Sequence, residues 1–153
     1  MKKFFSMLFI VTMLSMVLVS CGNDEPDPAI PTQKLESAYV DATDTHYTFD
    51  IDLNKDSSSI YLYNIVFRIG EATSPAMNIR IDAPVTVDKS GKVYTYSGNK
   101  IMPYMLRGTT PVPMPGDDYQ VNNLTCSVDT KNRTYSIKFD CHGGHFDESG
   151  KLK

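Results

Sequence analysis

The sequence predicts an all-β domain: an antiparallel barrel of about eight strands, or a two-sheet sandwich as the alternative. Three observations lead there. No window beyond residue 20 keeps a sustained 3.6-residue apolar period. Apolar and polar residues alternate instead, as on strands with one buried face. Turn-forming residues separate these runs roughly every 8–15 residues, the spacing of a barrel or sandwich.

Along the chain, Tyr47, Phe49, Ile51 and Leu53 alternate with Thr48, Asp50 and Asp52. Asn54 to Ser59 is a polar turn. Ile60 to Phe67 is apolar on both faces and fits a central strand covered on both sides. A loop spans Gly70 to Pro75, and Met77, Ile79 and Ile81 then alternate with Asn78, Arg80 and Asp82. Val85 to Val87 and Val93 to Tyr96 flank Asp88-Lys89-Ser90-Gly91, a turn with glycine where a positive φ is needed. Ile101 to Leu106 is a further short strand. Pro111, Pro113 and Pro115 mark a loop or a sheet edge, since proline gives a ladder no donor.

The last hairpin is the most fully determined. Leu124, Cys126 and Val128 alternate with polar residues, as do Tyr135, Ile137, Phe139 and Cys141. A two-residue loop at Lys131-Asn132 places Thr130 opposite Arg133, Val128 opposite Tyr135, Cys126 opposite Ile137 and Leu124 opposite Phe139. Every apolar residue then falls on one face. In this register Cys141 lies opposite Asn122, four residues along from Cys126. At ~3.3 Å per residue that is about 13 Å, beyond the ~7 Å Cα separation a disulfide allows. Two buried, reduced thiols are expected.

The first twenty residues are of another kind. Lys2 and Lys3 precede a sixteen-residue, mostly apolar run from Phe4 to Val19. As a helix it reaches about 24 Å, short of the ~30 Å hydrocarbon core. Its length and flanks fit a signal peptide over residues 1–20. Leu18-Val19-Ser20-Cys21 resembles the lipobox of bacterial lipoproteins. That resemblance implies cleavage before Cys21, a diacylglycerol thioether on its thiol and an acylated new amine. Two or more acyl chains hold a protein stably on a membrane. Residues 21–34 then form the lipidated cysteine and an extended tether, rich in proline and acid and without apolar period. The acids after Cys21 resemble the surface-export signals of Bacteroidetes lipoproteins. An outer-membrane anchor follows, facing either the surface or the periplasm.

Residues 35–153 remain as a single domain. Loss of the signal lysines leaves 13 basic against 18 acidic residues. There is no tryptophan and no basic patch, so nucleic-acid binding is not expected.

The series Ser59 to Phe67, Met77 to Ile81, Tyr94-Thr95-Tyr96-Ser97-Gly98, Ile101-Met102-Pro103, Tyr119 to Leu124 and Tyr135 to Gly144 resembles the calycin-like (lipocalin-like) lipoproteins of Bacteroidetes. The likeness covers about residues 38 to 153. Ser37-Ala38-Tyr39-Val40-Asp41 departs from the Gly-x-Tyr-x-Gly opening associated with such domains. The resemblance implies an antiparallel barrel and carries over no functional residues.

Candidate chemistry is sparse. Asp50-x-Asp52-x-Asn54-x-Asp56 has the acid spacing of a calcium loop, but Lys55, Ser57 and Tyr61 stand where glycine, an apolar residue and a bidentate glutamate belong. Asp50 and Asp52, at ~7 Å on one face, have the carboxylate gap of an inverting glycosidase, without the apolar cleft that would keep one protonated. Cys141-His142-Gly143-Gly144-His145 clusters a thiol and two imidazoles, and Asp147 follows. Alternation points Cys141 inward and His142 outward, so no zinc site is expected. Gly-x-Ser-x-Gly, a phosphate loop and His-Glu-x-x-His are all absent. No enzyme, metal or cofactor is expected.

The expected function is a binding module that holds a small apolar or amphipathic ligand in the open end of the barrel. Tyr61, Tyr63, Tyr94, Tyr96 and Tyr104 are the candidates for its mouth. The alternative is a structural subunit with a filled interior that binds another envelope protein through the edge from Ile101 to Met114. An internal volume of ~300 Å³ or more separates the first from the second.

Overall fold

A computed structural model describes residues 32–153. The signal peptide, the lipobox, Cys21 and the tether up to residue 31 lie outside the described residues. Thirteen strands form two antiparallel sheets and one small hairpin. Sheet 1 has the order β1 (Gln33–Glu36), β2 (His46–Ile51), β3 (Ser58–Ile65), β6 (Met77–Ala83), β9 (Tyr104–Arg107), β10 (Thr110–Pro113). Sheet 2 has the order β13 (Gly144–Lys151), β12 (Thr134–Cys141), β11 (Asn122–Asp129), β8 (Val93–Gly98), β7 (Val85–Val87). The short strands β4 (Arg68–Ile69) and β5 (Ala72–Thr73) pair only with each other. Among the described residues the one helical element is a single 3-10 turn, Asp117–Tyr119.

The fold is all-β, and the sheets do not close into a barrel. Their facing sides build one core, as in a sandwich. Sheet 1 contributes Tyr47, Phe49, Ile51, Ile60, Leu62, Ile79 and Ile81. Sheet 2 contributes Tyr94, Tyr96, Leu124, Cys126, Val128, Ile137 and Phe139. The alternation read from the sequence therefore fixes which faces meet. Two features tie the sheets together. Only Pro84 separates β6 from β7, so one run of chain leaves sheet 1 and enters sheet 2. At the opposite side Ser37 bridges Leu152, and the Ala38 N–H donates to the Lys151 carbonyl at 2.8 Å.

Several expectations are corrected. β1 starts at Gln33, so the last two residues assigned to the tether belong to the sheet. β3 is central in sheet 1, but among the described residues no second layer covers its outer side. Tyr61 and Tyr63 are half-buried there by cross-strand neighbours, Thr48 and Arg80 for Tyr61 and His46 for Tyr63. The last hairpin keeps the predicted pairs Val128–Tyr135 and Cys126–Ile137. A bulge between Asn122 and Thr125, with Asn123 at φ 54°, then shifts the pairing, so Asn122 meets Asp140 rather than Cys141. Both Cys126 and Cys141 are free and buried. The chain reverses directly after Cys141. His142 and Gly143, both at positive φ, make a tight turn into β13.

The segment from Ile101 to Met114 forms the β9–β10 hairpin at the end of sheet 1. Pro111 and Pro113 leave Thr110 and Val112 as the N–H donors of β10. Successive N–H groups on a strand point to opposite sides. The ladder to β9 uses Thr110 and Val112, and the free side of β10 has no donor at 111 or 113.

Candidate functional site

The five candidate tyrosines do not form one mouth. Tyr94 and Tyr96 point into the core and are almost fully buried. The Tyr96 hydroxyl donates to the Asp50 carbonyl, and the Gln33 amide donates to the Tyr94 hydroxyl at 2.7 Å. Both act as struts between the sheets. Tyr61, Tyr63 and Tyr104 lie on the outer side of sheet 1. There Tyr61 pairs with Arg80 and Arg80 with Tyr104, and the Arg80 guanidinium sits 4.5 Å from the Tyr104 ring centroid. Asp82 holds that guanidinium at 2.8 Å. His46 stacks on Tyr63 at 4.4 Å. The rings therefore stand against their neighbours, with part of each face covered.

The acidic candidates are engaged locally. The Asp52 carboxylate accepts from the Asn54 N–H at 3.1 Å and pairs with Lys55 at 3.0 Å. These contacts hold its ionisation below the usual range, with the Lys55 hydrogen bond as the largest cause. Lys55 thus takes the place next to Asp52 that a calcium ion would need. Asp50 stays on β2, and Asp52 lies just beyond its end. His145 pairs with Asp140 at 2.8 Å and Asp147 with Lys138 at 2.7 Å, both on the outer side of sheet 2. Neither joins His142. Among the described residues no three histidine, cysteine or acidic side chains gather as a metal site.

The structure instead draws attention to one end of the sandwich. Chain from Ile65 to Met77 crosses this end between β3 and β6, and Phe67 inserts between the sheets. Its ring lies 6.2 Å from Phe139 and 6.4 Å from Phe146. The crossing is self-supported: the Phe67 N–H donates to the Ser74 hydroxyl at 3.0 Å, and the Ser74 N–H returns to the Phe67 carbonyl at 2.9 Å. Gly144 lets it sit close. A Cβ on Gly144 would stand 2.7 Å from the Arg68 carbonyl oxygen.

Two cavities of different character flank this crossing. The first, of about 310 Å³, has Tyr47, Ile65 and Phe146 as its apolar part and Asp41, Arg68 and Glu148 as its charged part. Asp41 is committed to the turn that leads into β2, accepting from the Thr43 N–H at 2.8 Å and the Thr45 hydroxyl at 3.2 Å. Arg68 and Glu148 line the same space, and among the described residues neither forms an ion pair. Partial burial raises the Glu148 carboxyl above its ordinary range, and the neighbouring charges of Asp147 and Asp41 add to the rise. Burial also pushes the Tyr47 phenol up. The cavity combines an apolar floor, one cation, the turn-bound Asp41 carboxylate and one reluctant anion, which suits an amphipathic molecule. A second cavity, of about 190 Å³, lies on the Met77 and Cys141 side of Phe67.

Sequence reasoning reached neither cavity. Their residues come from four separate connections, and only the fold brings them to one end. The usable signal was local and partial: Arg68 carries a charge between Phe67 and Ile69, whereas Glu148 stands in a polar stretch that marks nothing. No protein-family model, no curated protein and no solved structure matches the chain.

Proposed function

We propose that the chain is a lipid-anchored envelope protein that binds a small amphipathic ligand in the 310 Å³ end cavity. The observation that carries this reading is the pair Arg68 and Glu148, opposite in charge, unpaired among the described residues, around a floor of Tyr47, Ile65 and Phe146. Glu148 is half-buried, where an unpaired charge is costly unless a partner arrives, while Arg68 stands exposed at the rim as the cation. A ligand with an apolar body and a polar or zwitterionic head supplies that partner. The volume is at the lower end of the range for small-molecule sites. The anchor rests on the lipobox at Cys21.

The architecture belongs to the same proposal. Taken in chain order, β1, β2, β3, the continuous β6–β7, β8, β11, β12 and β13 neighbour one another, and the Ser37–Leu152 bridge links last to first. We read this as a flattened, incompletely closed version of an eight-stranded calycin-like meander, with β9–β10 as an addition at the side.

The alternative, a partner-binding subunit, has less to stand on. Among the described residues the exposed large apolar side chains are Tyr39, Val66 and Val87, one in each of three different parts of the chain. Native mass spectrometry of the protein extracted from its own membranes tests the choice. A small molecule should co-purify with the wild type and be lost from the double variant Arg68→Gln, Glu148→Gln. A bound protein with no small-molecule mass overturns the proposal.

A further inference from the structure

The 190 Å³ cavity beyond Phe67 is a separate site with its own chemistry. Met77, Met114, Cys141 and His142 line it, with Phe67 and Tyr119 as walls. They come from the start of β6, the end of the β9–β10 hairpin, the end of β12 and the turn into β13. Alternation on β12 would send His142 away from Cys141. The tight turn at positive φ reverses that and returns His142 to the side of Cys141. The His142 ring is then held flat against Tyr119, with centroids 4.3 Å apart, and the His142 backbone N–H donates to the Asp118 carbonyl at 3.1 Å. Met114 and Cys141 are 5% and 3% exposed, so these two sulfurs sit inside, and Met77 and the imidazole are half-buried at the rim.

The geometry points to this cavity as a binding site for a soft monovalent d10 metal ion, Cu(I) or Ag(I), held by the Cys141 thiolate, the His142 imidazole and the thioethers of Met77 and Met114. Donor softness selects the ion. Thiolate and thioether sulfurs prefer Cu(I)-type ions, whereas hard divalent cations require oxygen donors. No carboxylate lines the cavity. Charge selects it again. One thiolate and one monovalent cation make a neutral unit, which an apolar cavity accepts. A divalent ion on the same donors would bury an uncompensated positive charge. Methionine has three rotatable bonds, so both thioethers can swing into the cavity to close on the ion.

Binding is a substitution without electron transfer. The Cys141 S–H bond, which now donates to the Tyr119 carbonyl at 3.3 Å, breaks as the sulfur–metal bond forms. The proton leaves to solvent, and the metal stays at the +1 state in which it arrived.

The test is an anaerobic titration of the full chain against a chromogenic Cu(I) chelator. The wild type should take one equivalent from the chelator. Cys141→Ser should take none. The near-isosteric changes Met77→Leu and Met114→Leu preserve apolar volume, and each should weaken capture by about ten-fold or more. All proteins carry Cys21→Ser, so that Cys126 is the one remaining thiol outside the cavity, and Cys126→Ala should leave capture unchanged. Capture that survives in Cys141→Ser, capture indifferent to both methionine changes, or no capture by the wild type each overturns the site. If Cys141→Ser does not fold, the two methionine variants decide the question alone.

Discussion

The Tyr96 hydroxyl reaches from sheet 2 across the core and donates to the backbone carbonyl of Asp50 on sheet 1, at 3.1 Å. Tyr96 is fully buried, and burial holds its phenol far above the usual ionisation range. The contact converts a face-to-face apolar packing into one with a fixed lateral register. Tyr96→Phe should keep the fold and lose about 1 kcal/mol, the net worth of one such bond. Urea unfolding with an unchanged m-value checks this. No loss of stability would mean that the bond adds nothing to the packing.

Gly144 should not tolerate a side chain. Its missing Cβ makes room for the Arg68 carbonyl oxygen, 2.7 Å from where that carbon would lie. The backbone cannot yield as a flexible side chain would. Gly144→Ala is expected to cost about 1–3 kcal/mol, and to loosen the crossing that separates the two cavities. Hydrogen exchange should show the effect first between residues 66 and 76.

The turn after β7 gives a pH signature. The Asp88 carboxylate accepts from the Val93 and Lys92 N–H groups at 3.0 and 3.1 Å and from the Ser90 hydroxyl. These hydrogen bonds, that from Val93 foremost, lower it from its ordinary 3.8 to about 2. A depressed acid stabilises the native state above its unfolded value and loses that contribution as pH falls through the folded one. Asp88→Asn should therefore lower the thermal midpoint at neutral pH. The gap to the wild type should close as pH falls from 3.8 to about 2.

Glu148 should behave in the opposite sense. Its carboxyl is raised above the ordinary 4.5, by burial first and then by Asp147 and Asp41. A raised acid favours its protonated form in the native state, so ionisation as pH rises past 4.5 subtracts stability. Glu148→Gln is expected to stabilise the ligand-free protein at neutral pH and to change little well below that value. Thermal melts across this range check the sign. The same change should weaken retention of the amphipathic ligand, so stability and binding move apart.

The two thiols should differ in reactivity. Burial pushes the Cys141 thiol up to about 11 and the Cys126 thiol higher still. Cys126 is fully enclosed by both sheets, whereas Cys141 faces the 190 Å³ cavity. Alkylation of the folded protein at mildly alkaline pH should be far slower than in urea. Peptide mass mapping should find Cys141 modified before Cys126. A peptide pair joined by a disulfide would contradict the register of β11 and β12.

The strands that could be read from the sequence are those whose apolar residues sit at every second position, as in Tyr47 to Ile51 and Leu124 to Val128. There one face is buried, so the pattern is forced. β13 escaped because its side chains are mostly polar or absent, with Phe146 its one large apolar residue. Its place is set by partners on β12 and by the positive-φ pair His142-Gly143, a turn signal hidden in what reads as a flexible stretch. β1 escaped because four residues with a single apolar side chain carry no period. The tyrosines misled for a different reason. Alternation says which of Tyr61 and Leu62 faces in, but it cannot say whether an outward ring borders an opening or leans on an arginine. The cavities depend on where connections cross the sandwich end, and no local pattern encodes that.

The prolines at 111 and 113 have a consequence at high surface density. With the lipid anchor proposed above, the protein would meet its own copies in two dimensions, side by side and in similar orientation. A bare strand flank would then be a template for runaway stacking into fibres. With two of its donors replaced by ring carbons, the flank of β10 cannot zip onto a neighbour. Crowded copies should then find no pairing partner along this flank.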